Sequence, residues 1–304
     1  MPRYSENAFA LFLGCTIPLR FPFIESASRK AIKAFDFETK DLPFGCCPDP
    51  LGVQSFDKET WAALAAHNLC LAEEEDLDIL TLCNGCFETL SVANAELQHN
   101  DKIRIRVNKI LGEVGKEFKG KINVRHIIQE FHDLRTLIPD LIARPLANCK
   151  FAVHYGCHFL RPAEILQTDH SEHPVILDEL VQVLQGNSIP YLKKGLCCGA
   201  GVYGTDFPTS TKIIQEKLAE VGKTRADAII VICPTCFRQY ESGQILIKRN
   251  HGETYGDNGR EIPVIHYAEL LAFALGFNMS EEFNQHRIKL SFNEKLLEGG
   301  MGTI

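Results

Sequence analysis

Ten of the twelve cysteines in this 304-residue chain fall into two matched sets. The first set runs Cys15, 30 residues, Cys46-Cys47, 35 residues, then Cys83-x-x-Cys86. The second runs Cys157, 39 residues, Cys197-Cys198, 34 residues, then Cys233-x-x-Cys236. One order of single, adjacent pair and spaced pair, repeated at such similar intervals, makes the chain two copies of one domain. The period of about 145 residues is that of a duplicated domain and far exceeds a solenoid repeat.

The flanking segments repeat with the cysteines. "AFALFLGC" matches "KFAVHYGC", a short apolar strand ending on Gly-Cys, and "LDILTLCNGC" matches "ADAIIVICPTC". Val124–Phe131 and Val264–Leu271 each read as an apolar strand, a histidine and a helix start. Between them, "DKETWAALAAHNLCLAEEED" and "PTSTKIIQEKLAEVG" carry apolar residues at helical spacing. Strand and helix in alternation predict an α/β fold: two similar Rossmann-like domains, each a small parallel sheet covered by helices. Pro139 and Pro145 punctuate the junction, placing the domains at 1–147 and 148–304. In such folds ligands collect beyond the carboxyl ends of the strands, where these cysteines fall.

The run before Cys15 is too short for a secretory signal, and no apolar stretch approaches the length of a membrane helix, so a cytoplasmic protein is expected. A formal charge of −7 argues against a broad nucleic-acid or membrane surface. A reducing compartment in turn disfavours disulfides. Cys70, within a helix pattern, and Cys149, at the junction, read as ordinary buried cysteines. The other ten suit metal or redox chemistry. Zinc takes four thiolates and a cubane iron–sulfur cluster takes four, whereas each half here offers five. A thioredoxin-type C-x-x-C needs no further cysteines. Adjacent cysteines converge on one site only through an irregular turn, which Gly45, Pro48 and Pro50, and Gly195 and Gly199, can supply.

The doubled pattern, with its local strings "FLGC", "LCNGCFETL" and "LCCGAG", resembles the duplicated cysteine-rich (CCG) domain family of heterodisulfide reductase B subunits over nearly the whole chain. The first pair departs from the family name in reading "CCPD". The resemblance implies two noncubane [4Fe-4S] clusters. Cys15, Cys46, Cys47, Cys83 and Cys86 would hold one, and Cys157, Cys197, Cys198, Cys233 and Cys236 the other. It further implies reduction of the heterodisulfide CoM-S-S-CoB to coenzyme M and coenzyme B in two one-electron steps, as in methanogenesis, with the clusters themselves catalytic and no side-chain nucleophile. The implied partners are a ferredoxin-like C subunit and a flavin-containing A subunit, with a hydrogenase or formate dehydrogenase module beyond. The same domain occurs in iron–sulfur subunits of 2-hydroxyacid and quinone-linked oxidoreductases, which makes these the alternative; a zinc-stabilised assembly protein is a third.

A substrate bearing sulfonate and phosphate needs cationic donors. Arg20 and Arg161 follow the first cysteine of each set at similar distances, His154 and His158 flank Cys157, and Lys194 precedes the second pair. These five are the candidate substrate contacts, though a solitary charge is ordinarily a solvated one. His126 and His266 hold matched positions and read as structural, and Glu73-Glu74-Glu75-Asp76 as a solvated helix end. Gly199, Gly201 and Gly204 spell G-x-G-x-x-G, but a dinucleotide loop follows its strand directly and opens a helix. Here Lys193, Lys194 and Gly195 interrupt the strand, and the next helix is predicted only after Pro208. The glycines therefore read as the frame that turns Cys197 and Cys198 inward.

Overall fold

A computed structural model describes residues 8–290. It contains two four-stranded sheets, all parallel. In the first, β1 (Ala8–Phe12), β2 (Glu38–Lys40), β3 (Asp78–Thr81) and β4 (Val124–His126) lie in the order β2-β1-β3-β4. In the second, β5 (Lys150–His154), β6 (Asn187–Ser188), β7 (Ala228–Val231) and β8 (Val264–His266) lie in the order β6-β5-β7-β8. The registers correspond: Phe9 pairs with Asp78 on β3, and Phe151 with Ala228 on β7. Parallel neighbours need crossovers, and the helices expected from the sequence provide them. The duplicated α/β architecture is thus present as expected.

The long crossover helices correspond closely. Lys58–Glu74 and Phe207–Lys223 each have 17 residues and each is capped by an aspartate, Asp57 or Asp206. Each carboxylate accepts a backbone N–H in the first turn, satisfying a donor with no partner inside the helix. The second helix starts at Phe207, ahead of the position predicted from Pro208, because proline is tolerated in a first turn, where its missing N–H costs nothing. The helices that follow β3 and β7, Asn84–His99 and Pro234–His251, begin directly on a cysteine cap, Cys83 or Cys233.

The described residues divide into two compact units, neither of them continuous in sequence. One comprises the residues up to Arg20, Ile32–Glu130 and His158–Ser171; the other comprises Phe21–Ala31, Phe131–Cys157 and Glu172 onward. Each unit thus includes a short segment from the other repeat. In the first, Phe159 packs edge-on against His126 at 5.2 Å and near Phe87 at 6.1 Å. In the second, Phe21 and Phe23 meet Phe237 at 5.0 and 5.5 Å. Both cores are built from strands buried on both faces, as parallel sheets require: β7 is buried throughout.

Candidate metal centres

The strand order of each sheet reverses between its first and third strands, and such a switch point opens a crevice at their carboxyl ends. Cys15 follows β1 and Cys83 follows β3; Cys157 follows β5 and Cys233 follows β7. Gly14 and Gly156, each with positive φ, turn the chain just before the first cysteine. Gly14 has a second constraint: a Cβ there would lie 2.7 Å from the Cys86 sulfur. The adjacent pairs Cys46-Cys47 and Cys197-Cys198 sit in irregular backbone, as their convergence demands.

Each set of five is brought together inside its own unit. The thiols of the first neighbour and influence one another in the order Cys15, Cys46, Cys47, Cys86, Cys83. The second repeats that order: Cys157, Cys197, Cys198, Cys236, Cys233. Cys70 and Cys149 are buried elsewhere, and burial pushes the Cys70 thiol up to about 12, which makes it inert.

Crowding spreads the thiol acidities apart. Burial, and then Cys47 and Cys15, push Cys46 up to about 11; hydrogen bonding from Cys86 draws Cys47 down, and Cys86 rises in consequence. In the second set, hydrogen bonds from Cys157 and Cys198 draw Cys197 far down, while Cys157, Cys198 and Cys236 rise. The crowded thiols thus oppose one another's ionisation, and ionising a whole set is helped by local positive charge. The Cys83 and Cys233 helix termini supply part of it. Five convergent thiols over helix N-termini fit a thiolate-bound cluster of several metal ions and exceed the four ligands of one zinc.

The backbone bearing each pair is held from two helices. In the first unit, buried Asn68 accepts from Gly45 N–H at 2.8 Å and donates to the Cys46 carbonyl at 3.0 Å, and Thr89 donates to the Pro48 carbonyl. In the second, Lys217 donates to the carbonyls of Lys193, Lys194 and Leu196, and Gln239 to that of Cys198. Gly199, at φ +80°, donates its N–H to the Cys197 sulfur at 3.3 Å, and its carbonyl accepts from Ser210. The glycine-rich stretch is accordingly a short 3-10 turn, Ala200–Val202, beside the thiols.

Among the candidate substrate contacts, His154 is buried, and a ring nitrogen lies within 4.8 Å of the Cys198 and Cys236 sulfurs. Burial holds it well below the usual histidine value, and the Tyr240 hydroxyl lies 3.4 Å from its Nδ1. Arg20 is exposed at the end of the Thr16–Arg20 helix, and half-buried His158 lies in the first unit beside Gly85. Exposed Arg161 donates to the Ser171 carbonyl. Lys194 is paired with Asp178 and lies over the Tyr155 ring. His126 and His266 accept from the N–H two residues on and so begin helices. Within the acidic run, Glu73 accepts from Lys119 and Lys121 N–H, and Glu74 and Glu75 pair with Lys116 and Lys40. That run therefore fastens a loop of its own unit.

Sequence reasoning missed Asn68, Thr89, Lys217, Gln239 and Tyr240. For Lys217 a signal existed: it occupies the buried stripe Ser210, Ile214, Lys217, Leu218, Val221, where an apolar residue belongs.

Among the described residues no helix is long and apolar enough to cross a membrane. The CCG cysteine-rich domain matches the chain twice, over residues 9–91 and 151–241. The chain is 39% identical over 279 residues to the B subunit of the ferredoxin:CoB-CoM heterodisulfide reductase of Methanosarcina mazei, covering 90% of each chain. It is 32% identical over 277 residues to a protein of Archaeoglobus profundus described as like the heterodisulfide reductase B subunit, covering 89% of this chain and 91% of that one. A crystal structure of a hypothetical protein from Helicobacter pylori shares the fold, with a TM-score of 0.73 at 14% identity, covering 94% of this chain and 53% of the other. Doubled domain, doubled thiol set and these relatives agree: the chain belongs to the CCG cysteine-rich family, among the B subunits of heterodisulfide reductases.

Proposed function

We propose that this chain is the catalytic iron–sulfur subunit of a CoB–CoM heterodisulfide reductase. The observation that carries the reading is the pair of five-thiol chains, linked in one order within two units. Cys15, Cys46, Cys47, Cys83 and Cys86 would hold one noncubane [4Fe-4S] cluster, and Cys157, Cys197, Cys198, Cys233 and Cys236 a second. Bound clusters supply one-electron transfer. Cleaving CoM-S-S-CoB takes two electrons and two protons and yields two thiols, so two single-electron centres suit it.

The residues around the thiols have separate work. Asn68 with Thr89, and Lys217 with Gln239, fix the cysteine-pair backbone so that the sulfurs keep their spacing when loaded. His154 closes the second set from beneath and keeps water from its buried side. Arg20, His158 and Arg161 would meet the sulfonate and phosphate of the substrate, and Lys194, paired with Asp178, would stand beside the second cysteine pair. No side chain acts as a nucleophile, which distinguishes this chemistry from thiol–disulfide exchange. Electrons would come from a ferredoxin-like C subunit and a flavin-containing A subunit, with a hydrogenase or formate dehydrogenase module beyond, in the cytoplasm.

The test is electron paramagnetic resonance of the anaerobically purified, oxidised protein with and without CoM-S-S-CoB or coenzyme M. A new paramagnetic signal is expected with either compound. An iron-loaded protein indifferent to both would move the assignment to a 2-hydroxyacid or quinone-linked oxidoreductase subunit.

A further inference from the structure

The repeat sets a neutral side chain against one cysteine loop and a cation against its counterpart. Asn68 and Lys217 are each the eleventh residue of a 17-residue helix begun by an aspartate cap. Both are buried, at 1% and 0% exposure, and both bond the backbone that leads into the adjacent cysteines. The mechanical role is shared, but the charge is not.

Lys217 Nζ lies 2.7 Å from the Lys193 carbonyl, 2.7 Å from that of Lys194 and 3.3 Å from that of Leu196, with the Tyr191 ring at 5.0 Å. Three carbonyl acceptors match the three N–H donors of an ammonium; a neutral amine would turn a lone pair on one of them. Burial draws the group down to about 7, and negative charge on the sulfurs of Cys236, Cys198 and Cys197 would oppose that. The three carbonyl acceptors therefore favour Lys217 as the ammonium. The difference extends to the neighbouring positions. Where the first repeat has Phe12 and Leu90, the second has His154 and Tyr240, hydrogen-bonded to each other.

We propose that Lys217 is a positioning residue for the second cluster that also sets its reduction potential above that of the first. The proposal rests on the reading that both thiol sets hold iron–sulfur clusters. An added electron makes a cluster more negative, and a fixed cation in a poorly solvated site stabilises that state. Asn68 gives the first cluster the same backbone support without the charge. The second cluster is then the one on which an incoming electron settles.

The experiment is a redox titration of the anaerobically purified full chain, followed by electron paramagnetic resonance. Lys217→Gln retains N–H donors for the loop and removes the charge. One of the two reduction steps is expected to fall by about 59 mV or more, a tenfold change in its one-electron equilibrium. The other step, the iron content and the spectral line shape should stay as they were, and Lys217→Arg should restore the potential. An unchanged potential in fully loaded Lys217→Gln protein overturns the proposal, as does an equal shift of both steps. Should the glutamine variant load only one cluster, Lys217→Arg decides: the native potential supports the role of charge, a lowered one overturns it. A native chain that binds no iron contradicts the cluster reading itself, which separates the two failures.

Discussion

The two cysteine sites share a backbone but differ in their surroundings. Both collect one sulfur after the first strand, an adjacent pair from an irregular loop and a spaced pair on a helix N-terminus. The first presents two exposed cysteines, Cys15 and Cys46, whereas their counterparts Cys157 and Cys197 are half-buried. At equivalent positions the first repeat has Phe12, Asn68 and Leu90, and the second has His154, Lys217 and Tyr240. Duplication kept the cysteines and the topology while the groups behind them diverged. Ligand geometry and electrostatic environment are therefore separable here, and variants can address one without the other.

The largest expected effect comes from the ligands. Cys198→Ser should remove the second cluster, about half of the iron and all heterodisulfide turnover, with the first unit still folded. Cys47→Ser should do the same to the first. Iron content and turnover measure both, and full turnover in Cys198→Ser protein would contradict the ligand assignment.

A backbone substitution comes next. Gly14→Ala combines a positive φ with a Cβ 2.7 Å from the Cys86 sulfur, so it should lower the stability of the first unit by roughly 1–3 kcal/mol and impair loading there. Gly115→Ala has a similar φ and open space, so it should cost only the strain and leave loading intact. Equal loading defects in denaturant and iron assays would remove the sulfur contact as the cause.

Asn68→Ala should follow, because it removes the two hydrogen bonds that hold the Gly45 N–H and the Cys46 carbonyl, at about 0.5–1.5 kcal/mol each. Its redox steps should not move closer together in the manner expected of Lys217→Gln. A potential shift as large as that of Lys217→Gln would dissolve the contrast between the sites.

The smallest effects should be alike in both halves. Thr60 and Thr209 hydrogen bonds lower the pKa of Asp57 and Asp206. A carboxylate with a lowered folded pKa stabilises at neutral pH, and the contribution disappears as pH falls through the folded value. Asp57→Ala and Asp206→Ala should thus lower the melting midpoint slightly near neutrality and not at all in strong acid. Unequal losses would show that the two helices have ceased to be equivalent.

The two cysteine sets and the parallel sheets were legible in the sequence because cysteine spacing and strand alternation are local patterns. The exchanged segments, such as Phe21–Ala31, were not, since nothing local tells which repeat a short helix packs on. His154 read as a substrate contact from its place beside Cys157, yet it closes β5 in the core, where a histidine at a strand end is buried with its tyrosine partner. Lys217 was missed because a lysine in an amphipathic helix is ordinary; only its phase on the buried stripe, and its alignment with Asn68, distinguish it. The acidic run read as solvated because its partners, the N–H groups of residues 119 and 121, are more than forty positions away.

The most direct measurement is the iron, sulfide and zinc content of the anaerobically purified chain, beside that of its Cys47→Ser and Cys198→Ser variants. Two five-thiolate sites should give about eight iron and eight sulfide per chain, falling to about half in either variant. About two zinc per chain with neither iron nor sulfide would contradict the assignment of both sites.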